Sequence, residues 1–176
     1  MHLCVTLCQF LLFNYTEKAQ RRHRETQSFY DKALYLLIMK KIAAIILEND
    51  KGEFLLALRD NKPGIPFPNH WDLIGGHVEE GETPEEALVR EVKEELDIEL
   101  KEYVFYKKYV CLTGDAYENT KYIYSGKINI PIGEVTLLEG ERPQYFSREE
   151  IPNVKFANII KTIVMEYISD RNLKKA

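Results

Sequence analysis

The fold is decided by residues 75–98, which read GGHVEEGETPEEALVREVKEELDI. Thr83 followed by Glu86 is the signature of a capping box, and Pro84 stands at the first helical position, where its missing N–H costs nothing. These residues predict a helix that runs from Thr83 to about Leu96. Apolar residues recur at helical spacing and predict a buried stripe made of Ala87, Leu88, Val92 and Leu96.

Three glutamates share one face of this predicted helix. Glu91, Glu94 and Glu95 are spaced i, i+3 and i+4, so their carboxylates converge near the helix C-terminus. Like charges at this spacing repel each other, and negative charge at this end opposes the helix macrodipole. A hard divalent cation such as Mg²⁺ or Mn²⁺ would offset the repulsion, because it prefers oxygen ligands. The alternative is a solvated acidic helix face, and charge alone does not decide between the two.

The spacing of the whole stretch resembles the signature of the Nudix hydrolase superfamily. That signature consists of Gly, five residues, Glu, seven residues, Arg-Glu, an aliphatic residue, any residue, Glu-Glu, any residue, Gly and an aliphatic residue. The residues in register here are Gly76, Glu82, Arg90, Glu91, Val92, Glu94, Glu95 and Ile98. Asp97 stands where the family has Gly, and Asp tolerates the left-handed conformation better than most residues. We therefore expect a changed helix end and a retained site.

The resemblance implies an α+β protein with a Nudix fold, in which a mixed β-sheet is packed between α-helices as an α/β/α sandwich. The flanking patterns agree with this fold. Strands are predicted over residues 42–48, 53–59, 70–74, 103–112, 117–130 and 144–146, and a late helix over residues 156–169. We expect a Nudix hydrolase domain over residues 39–170 and a C-terminal tail over residues 171–176.

Residues 1–38 differ from the rest, since they contain neither Gly nor Pro. Met39-Lys40-Lys41 then opens an apolar run that looks like the first strand of a domain. One interpretation is an N-terminal extension of unknown role, with the natural start at Met39. The other interpretation is an ordinary N-terminal helix that packs on the domain.

The resemblance also implies a reaction and a metal site. Nudix enzymes use Mg²⁺ or Mn²⁺ to cleave a phosphoanhydride bond in a nucleoside diphosphate linked to another group, X. By position, Glu91 and Glu95 would be the principal metal ligands, with Glu94 acting directly or through water. The remaining ligand would be the backbone carbonyl of Gly76 or its neighbour Gly75. Glu91, Glu94, Arg90 and Glu82 make up the predicted catalytic set, in which Arg90 and Glu82 support the carboxylates.

The general base is open at this level. Family members use either a glutamate of the signature, here Glu91, or an acidic residue on a later loop. Glu139 and Glu141 flank Gly140 and are the candidates for the second arrangement. Plain solvated loop charges would explain both residues equally well.

The group X is less constrained by the sequence. Arg59 ends a predicted strand and is a candidate phosphate ligand, and Trp71 is a candidate for the base pocket. The closest resemblance is to small MutT-like members, which implies a (deoxy)nucleoside triphosphate, oxidised purines included, cleaved to a monophosphate and pyrophosphate. An ADP-ribose or nucleotide-sugar pyrophosphatase is the alternative. A non-catalytic nucleotide-sensing module is disfavoured, because such proteins usually lose the signature glutamates.

The composition of the chain indicates which kinds of partner and which cellular compartment to expect. The chain has 28 acidic against 24 basic residues, a net charge of -4, which argues against a general nucleic-acid binder. Three cysteines are too few for a disulfide framework and favour a reducing compartment. No apolar stretch reaches the roughly 20 residues that span a bilayer. We expect a cytoplasmic monomer or homodimer whose partner is a small nucleotide, with no nucleic acid and no membrane bound.

Overall fold

The computed structural model describes residues 26–28, 31, 34–35 and 39–173. Its contacts divide the chain into two units, Met1–Met39 and Lys40–Ala176. In the first unit, residues 26–28, 31 and 34–35 are helical, while Cys4, Cys8 and the rest of residues 1–25 lie outside the described residues. Within the described ranges, no helix has the length and apolar character needed to cross a bilayer.

The described part of the second unit, residues 40–173, contains seven strands and two α-helices. The strands are β1 Lys40–Glu48, β2 Phe54–Leu58, β3 Trp71–Asp72, β4 Ile74–His77, β5 Tyr103–Cys111, β6 Asn119–Lys127 and β7 Arg142–Phe146. The helices are α1 Pro84–Leu96 and α2 Ile160–Leu173. The strands form one mixed sheet in the order β3-β2-β1-β6-β5, in which β4 also pairs with β1 and β7 with β2.

Strand β1 is the centre of this sheet and positions the signature stretch. It pairs in parallel with β6 along its whole length on one side. On the other side its first half pairs antiparallel with β4, and its end pairs antiparallel with β2. Two parallel strands need a long connection between them. Here the connection from β1 to its parallel neighbour β6 includes helix α1 and strand β5. The Gly75-Gly76 pair of β4 is thereby fixed beside Ala43 and Ala44.

Both faces of the sheet are covered, which explains why β1 is almost continuously apolar. Ala44 and Ile46 point to the core that includes Ile160, Ile163, Val164 and Tyr167 of α2. Ala43, Ile45 and Leu47 point to the opposite core, which includes Ala87, Leu88, Val92 and Leu96 of α1. This two-sided packing confirms the predicted mixed sheet between α-helices.

Helix α1 begins and ends as the sequence predicts. Thr83 Oγ1 accepts a hydrogen bond from the Glu86 N–H at 3.2 Å, and the Glu86 carboxylate accepts one from the Thr83 N–H at 2.8 Å. Both halves of the capping box are therefore present, and Pro84 is the first helical residue. Asp97 ends the helix in the left-handed conformation with φ 56°, the role that Gly has in the family signature.

Several predicted element boundaries differ from the structure, among them the strand expected over 117–130, which spans Asn119–Lys127. The strand expected over 70–74 is two strands, and the second, Ile74–His77, extends three residues beyond the predicted end. The late helix begins at Ile160 rather than 156, because Phe156 forms a β-bridge with Trp71 and Asn158 has a positive φ of 40°. The same helix continues to Leu173, beyond the predicted end at residue 169.

Candidate active site

Helix α1 places the signature glutamates against the glycines of β4. A Cβ atom built on Gly76 would lie 2.4 Å from the carboxylate carbon of Glu91. The Glu91 carboxylate therefore sits where any larger side chain at position 76 would be. On Gly75, with φ +135°, a Cβ would lie 2.2 Å from the carbonyl oxygen of Ala43. The two glycines allow β4 to approach both the central strand and the glutamate helix.

Arg90 connects the acidic groups of this region. Its guanidinium donates two hydrogen bonds to Glu82, at 2.9 and 3.0 Å, and single ones to Glu91 at 2.9 Å and Glu94 at 3.0 Å. A fifth bond of 2.9 Å goes to the backbone carbonyl of His77. The hydrogen bonds with Glu82 raise the pKa of Arg90 above its usual value and hold the pKa of Glu82 below its usual range. Arg90 thus links these glutamates to the β4 backbone.

Glu95 is a partly buried carboxylate of this site. Within the described part of the chain, its carboxylate receives one hydrogen bond, a long one of 3.4 Å from the Gly75 N–H. Burial, followed by the negative charge of Glu139, raises the pKa of Glu95 to about 8. Burial also raises the pKa of Glu91, although Arg90 opposes that shift. Two neighbouring carboxylates are therefore held without a full complement of positive charge.

The structure separates the two loop acids that the sequence could not distinguish. The Leu138 N–H donates to the Glu95 backbone carbonyl at 2.7 Å, which anchors the loop to the end of α1. Glu139 then lines the same cavity as Glu91 and Glu95. Glu141 is directed elsewhere, since its carboxylate accepts a hydrogen bond from the Asn61 N–H at 3.2 Å.

These side chains line a cavity of about 600 Å³, a size typical of small-molecule sites. The donors it offers are hard oxygens, namely the carboxylates of Glu91, Glu94, Glu95 and Glu139 and the backbone of Gly75 and Gly76. Oxygen donors with uncompensated negative charge fit Mg²⁺ or Mn²⁺. In the residues described, no three acidic, histidine or cysteine side chains form a finished cation site, and Arg90 is bonded to two of the carboxylates. Binding of a cation would therefore require these side chains to move.

The two predicted substrate residues lie in different surroundings. Arg59 lines the cavity, but its guanidinium donates to Asp72 at 3.0 Å and to the Pro66 carbonyl at 3.0 Å. Trp71 is buried in the hydrophobic core, where its ring packs edge-on against Phe146 at 4.7 Å. Trp71 is not among the residues that line the cavity.

Sequence reasoning missed a further wall of the cavity, which is formed by His77, Tyr117 and Lys40. Nε2 of His77 lies 2.6 Å from the Tyr117 hydroxyl, and the Lys40 ammonium lies 4.7 Å from the centre of the Tyr117 ring. Burial, and then the charges of Lys40 and Lys121, lower the pKa of His77. No sequence signal joins these residues, because 40 positions separate His77 from Tyr117.

A buried ion pair at the same wall was also missed. Lys121 of β6 forms a salt bridge of 2.8 Å with Asp115, and both side chains are almost completely buried. Asp115 also accepts a hydrogen bond of 2.8 Å from the Asn119 side chain. The pair orders the loop between β5 and β6 and so positions Tyr117 in the cavity.

The fold is a mixed sheet between helices. Its site is acidic and rich in oxygen donors, and one arginine links the glutamate helix to the Gly-Gly strand. These features together define the class of protein. The family model of the NUDIX domain matches residues 39–165. The chain belongs to the NUDIX domain family, as the spacing of its signature predicted.

Curated relatives match parts of the chain. It is 46% identical over 61 residues to the nucleoside triphosphatase NudI of Salmonella schwarzengrund, an alignment that covers 35% of this chain and 42% of the relative. It is 35% identical over 88 residues to an 8-oxo-dGTP diphosphatase of Haemophilus influenzae, covering 50% of this chain and 55% of the relative. The chain thus spans about half the length of these relatives.

Solved structures share the fold. A MutT protein from Methanosarcina mazei superposes with a TM-score of 0.61 at 21% identity, covering 75% of this chain and 94% of the other. The NUDIX domain of Shewanella oneidensis NrtR, solved with ADP ribose, gives a TM-score of 0.63 at 16% identity, covering 76% and 88%. At these identities the likeness concerns the fold alone.

Proposed function

We propose that this chain hydrolyses a phosphoanhydride bond of (deoxy)nucleoside triphosphates, oxidised purine nucleotides included, to a nucleoside monophosphate and pyrophosphate. The observation that carries the proposal is the convergence of Glu91, Glu95 and Glu139 on one cavity beside Gly75-Gly76. The names of the two curated relatives, a nucleoside triphosphatase and an 8-oxo-dGTP diphosphatase, support the same class of substrate.

The proposed cofactor is Mg²⁺, with Mn²⁺ as a substitute. Glu91 and Glu95 are the principal ligands in this proposal, supplemented by Glu94 and by the Gly76 carbonyl. A cation held by these residues would neutralise the pyrophosphate charge and would lower the pKa of a water molecule. It would also offset the negative charge around Glu95, whose pKa is raised by burial and by neighbouring carboxylates.

The side chains of this chain have distinct tasks in the reaction. Arg90 orients Glu91 through a 2.9 Å hydrogen bond and is itself fixed by two bonds to Glu82. A carboxylate must accept the proton of the attacking water. Glu91 and Glu139 both line the cavity and are the two candidates for this base, whereas Glu141 is bonded to the Asn61 backbone.

The test is a panel of substrates with purified protein and Mg²⁺. The panel contains the common and 8-oxo nucleoside triphosphates, ADP-ribose, sugar nucleotides and dinucleotide polyphosphates, with the products identified by chromatography. We expect the highest kcat/KM with a nucleoside triphosphate and the release of pyrophosphate. The strongest turnover with ADP-ribose would instead make the chain an ADP-ribose pyrophosphatase. Tight nucleotide binding without turnover on the whole panel would make it a nucleotide sensor.

Three variants assign the roles. Glu95→Gln should reduce kcat by several orders of magnitude, because it removes a charged ligand while preserving the side-chain shape. Glu139→Gln should reduce kcat strongly if the loop acid is the base, whereas Glu141→Gln is the matched control on the same loop. Equal activities of the Glu139 and Glu141 variants would leave Glu91 as the base.

A further inference from the structure

The cavity offers three aromatic rings to a nucleobase, namely those of Phe67, His77 and Tyr117. Stacking on such a ring contributes about 1–3 kcal/mol to the binding of a nucleobase. The glutamates define where the phosphates of the proposed substrate lie. The identity of the stacking ring would therefore define the direction in which the nucleotide extends from them.

Two of these rings already have partners. His77 and Tyr117 are nearly parallel, at 20° with ring centres 6.0 Å apart, and are joined by the 2.6 Å hydrogen bond. The Lys40 ammonium lies over the Tyr117 ring. A base stacking on this pair would have to displace a cation or separate the two rings.

Phe67 has no such partner in the described part of the chain. Its ring is partly buried, lines the cavity and has one aromatic contact, an edge-on arrangement with His70 at 5.8 Å. No ring or cation stacks in parallel on it among the described residues. Its backbone is also unusual, since φ is 54°, a conformation that bulky residues rarely adopt.

The unusual backbone is held by Arg59. Nε of Arg59 donates at 3.0 Å to the carbonyl of Pro66, the residue before Phe67, and Nη1 donates to the Asp72 carboxylate. The main chain of Arg59 is bonded to residues on the other side of Phe67, to the Asn69 N–H at 3.3 Å and to the His70 carbonyl at 3.0 Å. Strained conformations persist where the surroundings fix them, and they are concentrated at ligand clamps.

We propose that Phe67 is the residue on which the substrate's nucleobase stacks, and that Arg59 is a positioning residue that presents the ring to the cavity. This inference rests on the proposed nucleotide substrate and assigns the part of the site that reads its base. It gives Arg59 a task besides phosphate binding, because Nε and one terminal nitrogen of its guanidinium are engaged within the protein. Stacking tolerates every base, so it predicts a preference for large rings over small ones.

The first test measures binding directly with 2-aminopurine riboside triphosphate, whose fluorescence is quenched when its base stacks. Rapid mixing reads the quenching before turnover. The wild-type protein should quench the probe. Phe67→Asn should not, and it keeps the fold because Asn accepts a positive φ. Phe67→Trp should restore the quenching. Phe105→Asn is the matched control, since Phe105 is an exposed phenylalanine that does not line the cavity.

The second test separates binding of the base from chemistry. Phe67→Asn should raise KM for purine nucleoside triphosphates about 5- to 150-fold, the range expected for one lost stacking contact. It should leave kcat within about threefold and should not change the KM for an abasic ribose triphosphate. Arg59→Lys should produce the same pattern in weaker form, because an ammonium cannot bridge Asp72 and the Pro66 carbonyl in the geometry of a guanidinium.

The outcomes are distinguishable from failure of the proposed function. Nucleotide hydrolysis with equal KM values and equal quenching in wild type and Phe67→Asn would overturn the role of Phe67 and retain the activity. A rise in KM for the abasic compound of the same size would also overturn it, because the loss would not concern the base. Absence of nucleotide binding and turnover in the wild type would overturn both.

Discussion

The replacement of Gly76 by alanine tests the geometry of the site most sharply. The added Cβ would lie 2.4 Å from the Glu91 carboxylate carbon, whereas ordinary contact begins at about 3.4 Å, so the carboxylate must move by about 1 Å. A displacement of about 1 Å in a catalytic group costs on the order of 100-fold in rate. Gly76 does not have a positive φ, and the atoms that must yield are the end of a flexible side chain. We therefore expect kcat/KM to fall about 100-fold while the free energy of unfolding changes by less than about 1 kcal/mol.

The assay combines Mg²⁺-dependent turnover of the preferred nucleotide with urea unfolding of the same samples. Gly133→Ala is the matched control, since a Cβ at Gly133 meets no atom within 4 Å. Gly75→Ala is the opposite case, because its Cβ would lie 2.2 Å from the Ala43 carbonyl of the central strand, and it should lose stability. Wild-type kcat/KM in Gly76→Ala, or a loss of stability equal to that of Gly75→Ala, would refute the placement of Glu91.

Three other changes give measurable results. Arg90→Lys should lower kcat/KM about 10- to 100-fold, because an ammonium cannot hold Glu82, Glu91 and Glu94 together; unchanged kinetics would exclude this supporting role. Thr83→Ala should reduce the free energy of unfolding by about 1 kcal/mol in urea titrations, whereas Thr83→Ser should not, since it keeps the capping oxygen. The pKa of Glu95 is raised to about 8, so metal-free folded protein keeps a proton that the unfolded chain has lost. Stability of the metal-free protein should therefore decrease as the pH rises from about 4.3 toward about 8, and Glu95→Gln should flatten that part of the curve. A decrease of the same size in the variant would show that other groups are responsible.

Local signals in the sequence were sufficient for helix α1. Its start depends on Thr83 and Glu86, three residues apart, and its buried stripe depends on apolar spacing, so both could be predicted from the chain. The left-handed Asp97 is a local feature as well. The Nudix signature adds the expected ligands to this helix, and the fold and the family that it implies are confirmed.

Features that depend on long-range pairing were not predictable. The strand predicted over 70–74 ends before Gly75 and Gly76, but both belong to β4 because β1 supplies their hydrogen-bond partners. Helix α2 begins later than predicted because Phe156 is bridged to Trp71 and the backbone of Asn158 has a positive φ. Each of these contacts joins residues that no short motif connects.

Parts of the candidate site also depend on long-range contacts that the sequence does not reveal. Glu139 and Glu141 are equivalent in sequence, and they differ because the Leu138 N–H is bonded to the end of α1 while Glu141 binds the Asn61 backbone. The backbone conformation at Phe67 is held by Arg59, eight residues earlier in the chain. From the sequence, Arg59 is only a candidate phosphate ligand. The three-dimensional arrangement therefore adds the loop acid and the aromatic ring to the glutamates that the signature identifies.

We propose above that Glu91 and Glu95 of α1 bind a divalent cation. The most direct measurement is a titration of metal-free protein with Mn²⁺, in which electron paramagnetic resonance reads the free ion. We expect the wild type and the control Glu141→Gln to bind Mn²⁺ with equal affinity, and the double variant Glu91→Gln, Glu95→Gln to bind it at least about tenfold more weakly. Equal Mn²⁺ affinity in the wild type and the double variant would contradict the claim.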